Sequence, residues 1–410
     1  MPSNDLVNTA ENYLHALCTE IANRCVGSVG NQQATDLFTE KMIQFGFRTV
    51  RSEFDCIDWS SGEPSLSVNG ESYEAFVSPY SLGCEVKSPL SMASTIDELK
   101  KLAGSDRVLL LRGDIAREQL MPKNFTFYNP EEHQQIIALL ESKKPSAIIS
   151  ATSRNPELAG GIYPFPLIED GDFDIPSVYM TEKIGDKLSQ QLGKLVNLRF
   201  EAQRVPSTGC NVIARKGSDP NGRIVIFSHI DAKMGTPGAL DNASGVVVLL
   251  LLAELLQANQ PAITIEIVAL NGEDYYSAPG EMRYLADNPN QLQDVYLGIN
   301  LDGAGYVDGD TAYSLYDCPL EIAEKIRDSF PARQGFIEGE QWYQSDHSLF
   351  LMHNRPALAI TSEKFDYLST FITHTEKDSP ELADPEKLVD AAHALQKLLF
   401  TLDQVWVNSR

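Results

Sequence analysis

Three apolar runs in the second half of the chain, RIVIF, ITIEIVAL and YLGINL, each give way at the carboxyl end to residues that ligate metals or move protons. Runs rich in Val, Ile and Leu with little polar alternation fit strands buried on both faces, and so a sheet covered by helices. Helical stretches alternate with them: one from about Ala243 to Gln257, one near GEMRYLAD, one from Pro319 and a last from Pro385. CNVIARK and PALAIT read as two further strands. The expected fold class is therefore α/β, a mixed and mostly parallel sheet flanked by helices. In open sheets of this kind the site forms in the crevice at the carboxyl ends of the strands. The three polar ends should then share one rim.

RIVIFSH ends in His229, with Asp231 two residues on; ITIEIVALNG leads into Glu273 and Asp274; YLGINL leads into Asp302. Asp241 lies in PGALDNASG, between the first of these strands and the next helix, and His374 lies in FITHTEKD, before the last helix. Two imidazoles and three carboxylates form a nitrogen and oxygen donor set that suits zinc, with other divalent ions admitted. Five protein ligands exceed what one open zinc takes. Two ions can share them if Asp241 bridges: His229 and Asp302 serve one ion, Asp274 and His374 the other, and each keeps an open position. Asp231 is placed to accept the second ring proton of an imidazole and fix its tautomer. Glu273, adjacent to a ligand and aimed elsewhere, fits a general base. Taken alone, Asp241 reads as the N-cap of the helix that follows, and Asn31, in VGSVGN, as the cap of the second N-terminal helix. Independent strand ends converging on one rim make caps alone an insufficient account.

At 410 residues the chain exceeds the size at which one core stops growing, so two domains are expected. Residues 4–45 read as two amphipathic helices and FRTVRSEF as a strand; composition then shifts to turn residues at SSGEPSLSVNGES. A strand-helix-strand unit follows (RVLLLR, EEHQQIIALLES, SAIISA), then the loop NPELAGGIYPFPLIEDGDFDIP and the strands IPSVYM and LVNLRFEA, without a ligand cluster. The expected division is 1–65 with 205–410 as a discontinuous catalytic domain and 66–204 as an insert. A net charge of -24 with scattered Lys and Arg argues against nucleic acid and anionic membrane partners. The N-terminus lacks a basic region followed by an apolar one, and no 18 apolar residues run together. The expectation is a soluble, cytoplasmic chain with its six cysteines mostly reduced, unless a leader has been removed.

His229-Ile230-Asp231, Pro237 to Gly245, Gly272-Glu273-Asp274, Asn300 to Asp302, Ser345-Asp346-His347 and Phe371 to Asp378 match, in order and spacing, the motifs of a known family. Over residues 205–410 the sequence resembles the dizinc aminopeptidase family, which includes bacterial leucyl aminopeptidases, glutamate carboxypeptidase and the glutaminyl cyclases. The resemblance implies a zinc exopeptidase fold (phosphorylase/hydrolase-like), two zinc ions, Asp241 as bridge, Glu273 as base and Asp346 beside the site, positioning substrate or ligands. Residues 66–204 resemble a protease-associated domain, which implies a lid governing access or selection. Two departures stand out: Asp274 replaces the usual second Glu, and Thr373 stands where a tyrosine often supports the oxyanion, leaving that role to Tyr275, Tyr367 or water. The function implied is an aminopeptidase that hydrolyses the first peptide bond of peptides with a free N-terminus, through a dizinc-activated hydroxide. A carboxypeptidase or other amidohydrolase acting on small amides, a glutaminyl-cyclase-like acyltransferase and a non-catalytic receptor-like relative remain alternatives. Side-chain preference and oligomeric state are not written in these motifs.

Overall fold

The computed structural model describes residues 3–408 except 22, 103, 155–161, 220 and 291. The chain divides into two compact units, Met1–Cys56 with Thr208–Arg410, and Ile57–Ser207. Two long strands, Arg48–Ser61 and Ala202–Lys216, carry the chain from one unit to the other and back. The expectation put the first boundary at the turn-rich SSGEPS. The compact units part nine residues earlier, inside a strand that runs unbroken to Ser61, so composition changes only after the strand has already left the first unit.

The first unit is built on an eight-stranded sheet in the order Arg48–Ser61, Ala202–Lys216, Thr264–Leu270, Arg223–His229, Val295–Leu301, Ala357–Ser362, Thr311–Tyr316, Phe336–Glu338. Arg223–His229 is parallel to both of its neighbours, and Val295–Leu301 is parallel to Ala357–Ser362. Ala202–Lys216 is antiparallel to Thr264–Leu270 and Thr311–Tyr316 to Ala357–Ser362, which makes the sheet mixed. Thr311–Tyr316 was not anticipated, since TAYSLY carries only a weak alternation. The centre is apolar on both faces: all seven residues of Arg223–His229 are buried. Helix Ser244–Leu255 is hydrophobic all round, buried from Ser244 to Ala253, and packs against the last helix, Pro385–Asn408. Gly245 lets the start of helix Ser244–Leu255 lie close on the sheet, because a Cβ there would sit 2.4 Å from Ser228 Oγ and 2.8 Å from the Leu301 carbonyl oxygen.

Both anticipated caps are replaced by neighbours. Ser28, not Asn31, caps helix Val29–Gln44, its Oγ accepting from Asn31 N at 3.1 Å. Asp241 caps nothing: Asn242 Oδ1 accepts from Gly245 N at 3.2 Å, and Asp241 stays outside the helical conformation (φ -120°, ψ 81°).

The second unit has its own eight-stranded sheet, in the order Glu71–Tyr73, Ser65–Val68, Leu195–Phe200, Cys84–Ala93, Val108–Leu111, Ala147–Thr152, Ser177–Thr181, Phe76–Val77. Helix Glu131–Lys143 crosses between the parallel strands Val108–Leu111 and Ala147–Thr152, the compact unit the pattern suggested. Residues 155–161 of the Pro- and Gly-rich loop lie outside the described residues. Among the described residues no helix is long and apolar enough to cross a membrane.

Candidate metal centre

Register aligns the rim. His229 pairs with Leu270 across the parallel strands Arg223–His229 and Thr264–Leu270, and Asp302 N donates to Ile360 O at 2.9 Å just past the end of Val295–Leu301. The turn Gly272–Asp274 therefore rises beside His229. Asp231 holds that turn: its Oδ1 accepts from Gly272 N at 2.7 Å and its Oδ2 from Asp274 N at 3.1 Å.

The structure gathers four of the expected residues about the carboxylate of a fifth, Asp241. Asp241 Oδ1 lies 3.1 Å from His229 Nε2, and Asp241 Oδ2 lies 3.0 Å from His374 Nε2. Asp302 Oδ1 is 3.8 Å from His229 Nε2, and Asp274 Oδ1 is 3.1 Å from His374 Nε2. Ligand atoms about 2.0–2.2 Å from one tetrahedral zinc lie about 3.3–3.6 Å from one another, so these separations have the scale of donors around ions. Hydrogen bonding does not account for them. Both ring nitrogens of His229 and Asp274 Oδ2 are buried without a hydrogen-bond partner among the described residues, an arrangement that costs free energy unless a cation fills it. His229, Asp241 and Asp274 form a group compact enough to hold a metal. The donor set and its orphaned atoms thus fit divalent ions.

Electrostatics agree. Burial works against the imidazolium of His229, yet the carboxylates of Asp231, Asp241 and Asp302 overcome it and hold its pKa well above the ordinary value. Burial likewise opposes protonation of His374, and Asp274 and Asp241 reverse the outcome. Burial would raise the pKa of Asp241, but the two histidines lower it. Burial, then the charges of Asp274, Asp302 and Asp346, raise Glu273 far above the usual carboxyl range. The His229 Nδ1 to Asp231 Oδ1 separation is 3.7 Å, longer than a hydrogen bond. Asp231 hydrogen-bonds the Gly272–Asp274 turn and reaches the ring through its charge at that distance.

Three further acidic residues lie at the site: Asp346 and Asp378, which the motifs contained, and Glu281, which carried no sequence signal. Asp378 is buried in the loop that carries His374; its Oδ1 accepts from Leu240 N at 2.8 Å and its Oδ2 from Asp241 N at 3.0 Å. Burial and the charge of Asp241 push its pKa up to about 7. Glu281, in helix Pro279–Asp287, is 5 % exposed with Oε2 unpartnered among the described residues; burial and nearby Glu273 push it up to about 8. Asp346 is buried with both oxygens unpartnered among the described residues, its pKa raised by burial and then by Glu281. Of the proposed oxyanion donors, Tyr275 is buried with its ring against Tyr276, and Tyr367 is 46 % exposed beside Tyr306 and Phe371.

A mixed sheet flanked by helices, with metal-ligand residues delivered from its strand ends, is the architecture of the zinc exopeptidases. Residues 211–399 match the sequence profile of Peptidase family M28. It is similar to the "Aminopeptidase from Aneurinibacillus sp. strain AM-1" (TM-score 0.75, 20 % identity, covering 96 % of this chain and 93 % of that one). It is similar to BSAP, a zinc aminopeptidase from Bacillus subtilis (TM-score 0.72, 18 % identity, 97 % and 95 % covered). At these identities the two structures establish the fold. In sequence it is 22 % identical over 350 residues to the "Probable leucine aminopeptidase 2" of Aspergillus fumigatus, covering 82 % of this chain and 67 % of that protein.

Proposed function

We propose that the chain is a zinc-dependent aminopeptidase that holds two ions, one on His229 and Asp302, the other on Asp274 and His374, with Asp241 between them. The observation that carries this reading is the position of Asp241, with one carboxylate oxygen 3.1 Å from one imidazole and the other 3.0 Å from the second. When bound, zinc supplies the Lewis acidity that polarises a scissile carbonyl and acidifies a water. Glu273 is the group that takes the proton from that water and returns it to the leaving amine. Its position within one residue of Asp274 keeps the base at the centre, and Asp231 fixes both through their shared turn. The many carboxylates at the rim favour a substrate with a cationic N-terminal amine. No cluster of three or more metal-ligating residues is found in residues 57–207 among the described residues.

A panel of aminoacyl chromogenic amides, each tested free and N-acetylated, decides the matter. Cleavage of the free amides with loss of activity on acetylation supports the aminopeptidase. Equal cleavage of both forms contradicts it, and release of a pyroglutamyl product favours the cyclase branch.

A further inference from the structure

Arg24 and Asn31 lie in the N-terminal segment, far in sequence from every residue placed at the metal centre, yet each reaches one half of it. Arg24 is 3 % exposed, and its guanidinium is spread over backbone carbonyls. Nε donates to Ile230 O at 3.1 Å, Nη1 to Leu17 O at 2.6 Å and Pro237 O at 2.9 Å, and Nη2 to Gly238 O at 2.8 Å. Ile230 sits between His229 and Asp231, while Pro237 and Gly238 open the turn that delivers Asp241. A single planar, rigid fork thus ties the first ligand's strand end to the bridging loop. The approach is close: a Cβ on Gly238, itself at φ 58°, would meet Arg24 Nη2 at 2.8 Å.

Asn31 does the same for the other half. Its Nδ2 donates to Asn271 Oδ1, and its Oδ1 accepts the reciprocal bond from Asn271 Nδ2, both at 2.9 Å. Nδ2 also donates to Arg24 O at 3.0 Å. Asn271 directly precedes Gly272-Glu273-Asp274, and Asn211 locks it further, with Oδ1 accepting from Asn271 N at 3.0 Å and Nδ2 donating to Gly280 O at 2.8 Å. Asn31 is 1 % exposed, Asn211 and Asn271 0 %. A Cβ on Gly30 would fall 1.8 Å from Asn23 O, so the helix start that carries Asn31 is pressed onto the backbone before it.

We propose that Arg24 and Asn31 are positioning residues forming one brace that sets the spacing between the two ion-binding halves: Arg24 holds His229 and the bridging Asp241, and Asn31 holds the turn of Asp274. Resting on the two-ion reading, this makes affinity for the second ion depend on a side chain that touches no ligand. Metal affinity falls steeply when ligands drift by a few tenths of an ångström, and losing a group that orients ligands costs about 10- to 100-fold in affinity.

The test is titration of the metal-free protein with zinc against a competing chelator, for wild type, Asn31→Ala and Arg24→Lys, with thermal unfolding of each metal-free protein measured alongside. Asn31→Thr, which keeps about the volume, adds no charge and removes the amide pair, replaces Asn31→Ala if that variant does not fold. The brace requires at least about tenfold weaker binding of the second zinc in the Asn31 variant with the first within about twofold of wild type, and weaker binding of both in Arg24→Lys. Two zinc ions bound by the variants with wild-type affinities, whatever their melting temperatures, overturn the brace alone. A wild type that binds fewer than two zinc ions overturns the two-ion reading and the brace with it.

Discussion

The backbone N–H of Asp241 donates to Asp378 Oδ2 at 3.0 Å, so the loop that carries one imidazole grips the backbone of the carboxylate shared by both. With Leu240 N on Oδ1, the two Asp378 oxygens serve two adjacent amides. Asn in this place sets an NH2 against one of those N–H donors. Asp378→Asn should cost about 1–3 kcal/mol of stability and weaken zinc binding. Denaturant unfolding and zinc titration check it, and wild-type values in both would contradict the clamp.

The raised carboxyl pKa values give the metal-free protein a defined pH dependence. Asp378 rises from 3.8 to about 7 and Glu281 from 4.5 to about 8, each through burial first. An acid held above its unfolded pKa stabilises the fold below the unfolded value, and that contribution is lost as pH rises through the folded one. The melting temperature of the metal-free protein should therefore fall by several degrees between about pH 4 and pH 8. Glu281→Gln, which removes one titrating group, should flatten that fall. A melting temperature that climbs over this range would contradict the assignment.

If Asp241 is shared and the remaining ligands are not, the two ions can be removed separately. Asp302→Ala and Asp274→Ala should each bind one tight zinc per chain, while Asp241→Ala should weaken both. Elemental analysis after dialysis reads the ratio. Loss of both ions in either single-site variant would mean that the sites are not divided as drawn.

Much of the fold was legible because its signals are local. Buried parallel strands announce themselves as uninterrupted Val/Ile/Leu runs, and residues at their ends share a rim by topology, so His229, Glu273, Asp274 and Asp302 could be placed together before any coordinates. Asp241 and His374 followed because each lies in a loop joined to that rim. What escaped notice depends on contacts distant in sequence. Arg24 reaches Gly238 across 214 positions and Asn31 reaches Asn271 across 240, and an Arg or Asn near a helix start gives no local sign of such partners. The caps failed for the opposite reason, with too many adequate candidates: Ser28 beside Asn31, and Asn242 beside Asp241. Glu281 reads as an ordinary helical glutamate in GEMRYLAD, and only its burial against Glu273 and Asp346 distinguishes it.

The proposed role of Glu273 as the group that moves the proton is tested most directly by kcat on a free aminoacyl amide for Glu273→Gln at zinc content equal to wild type. Gln keeps the shape and cannot take the proton, so kcat should fall at least about 100-fold while both zinc ions remain bound. A kcat equal to wild type at the same zinc content would contradict the mechanism.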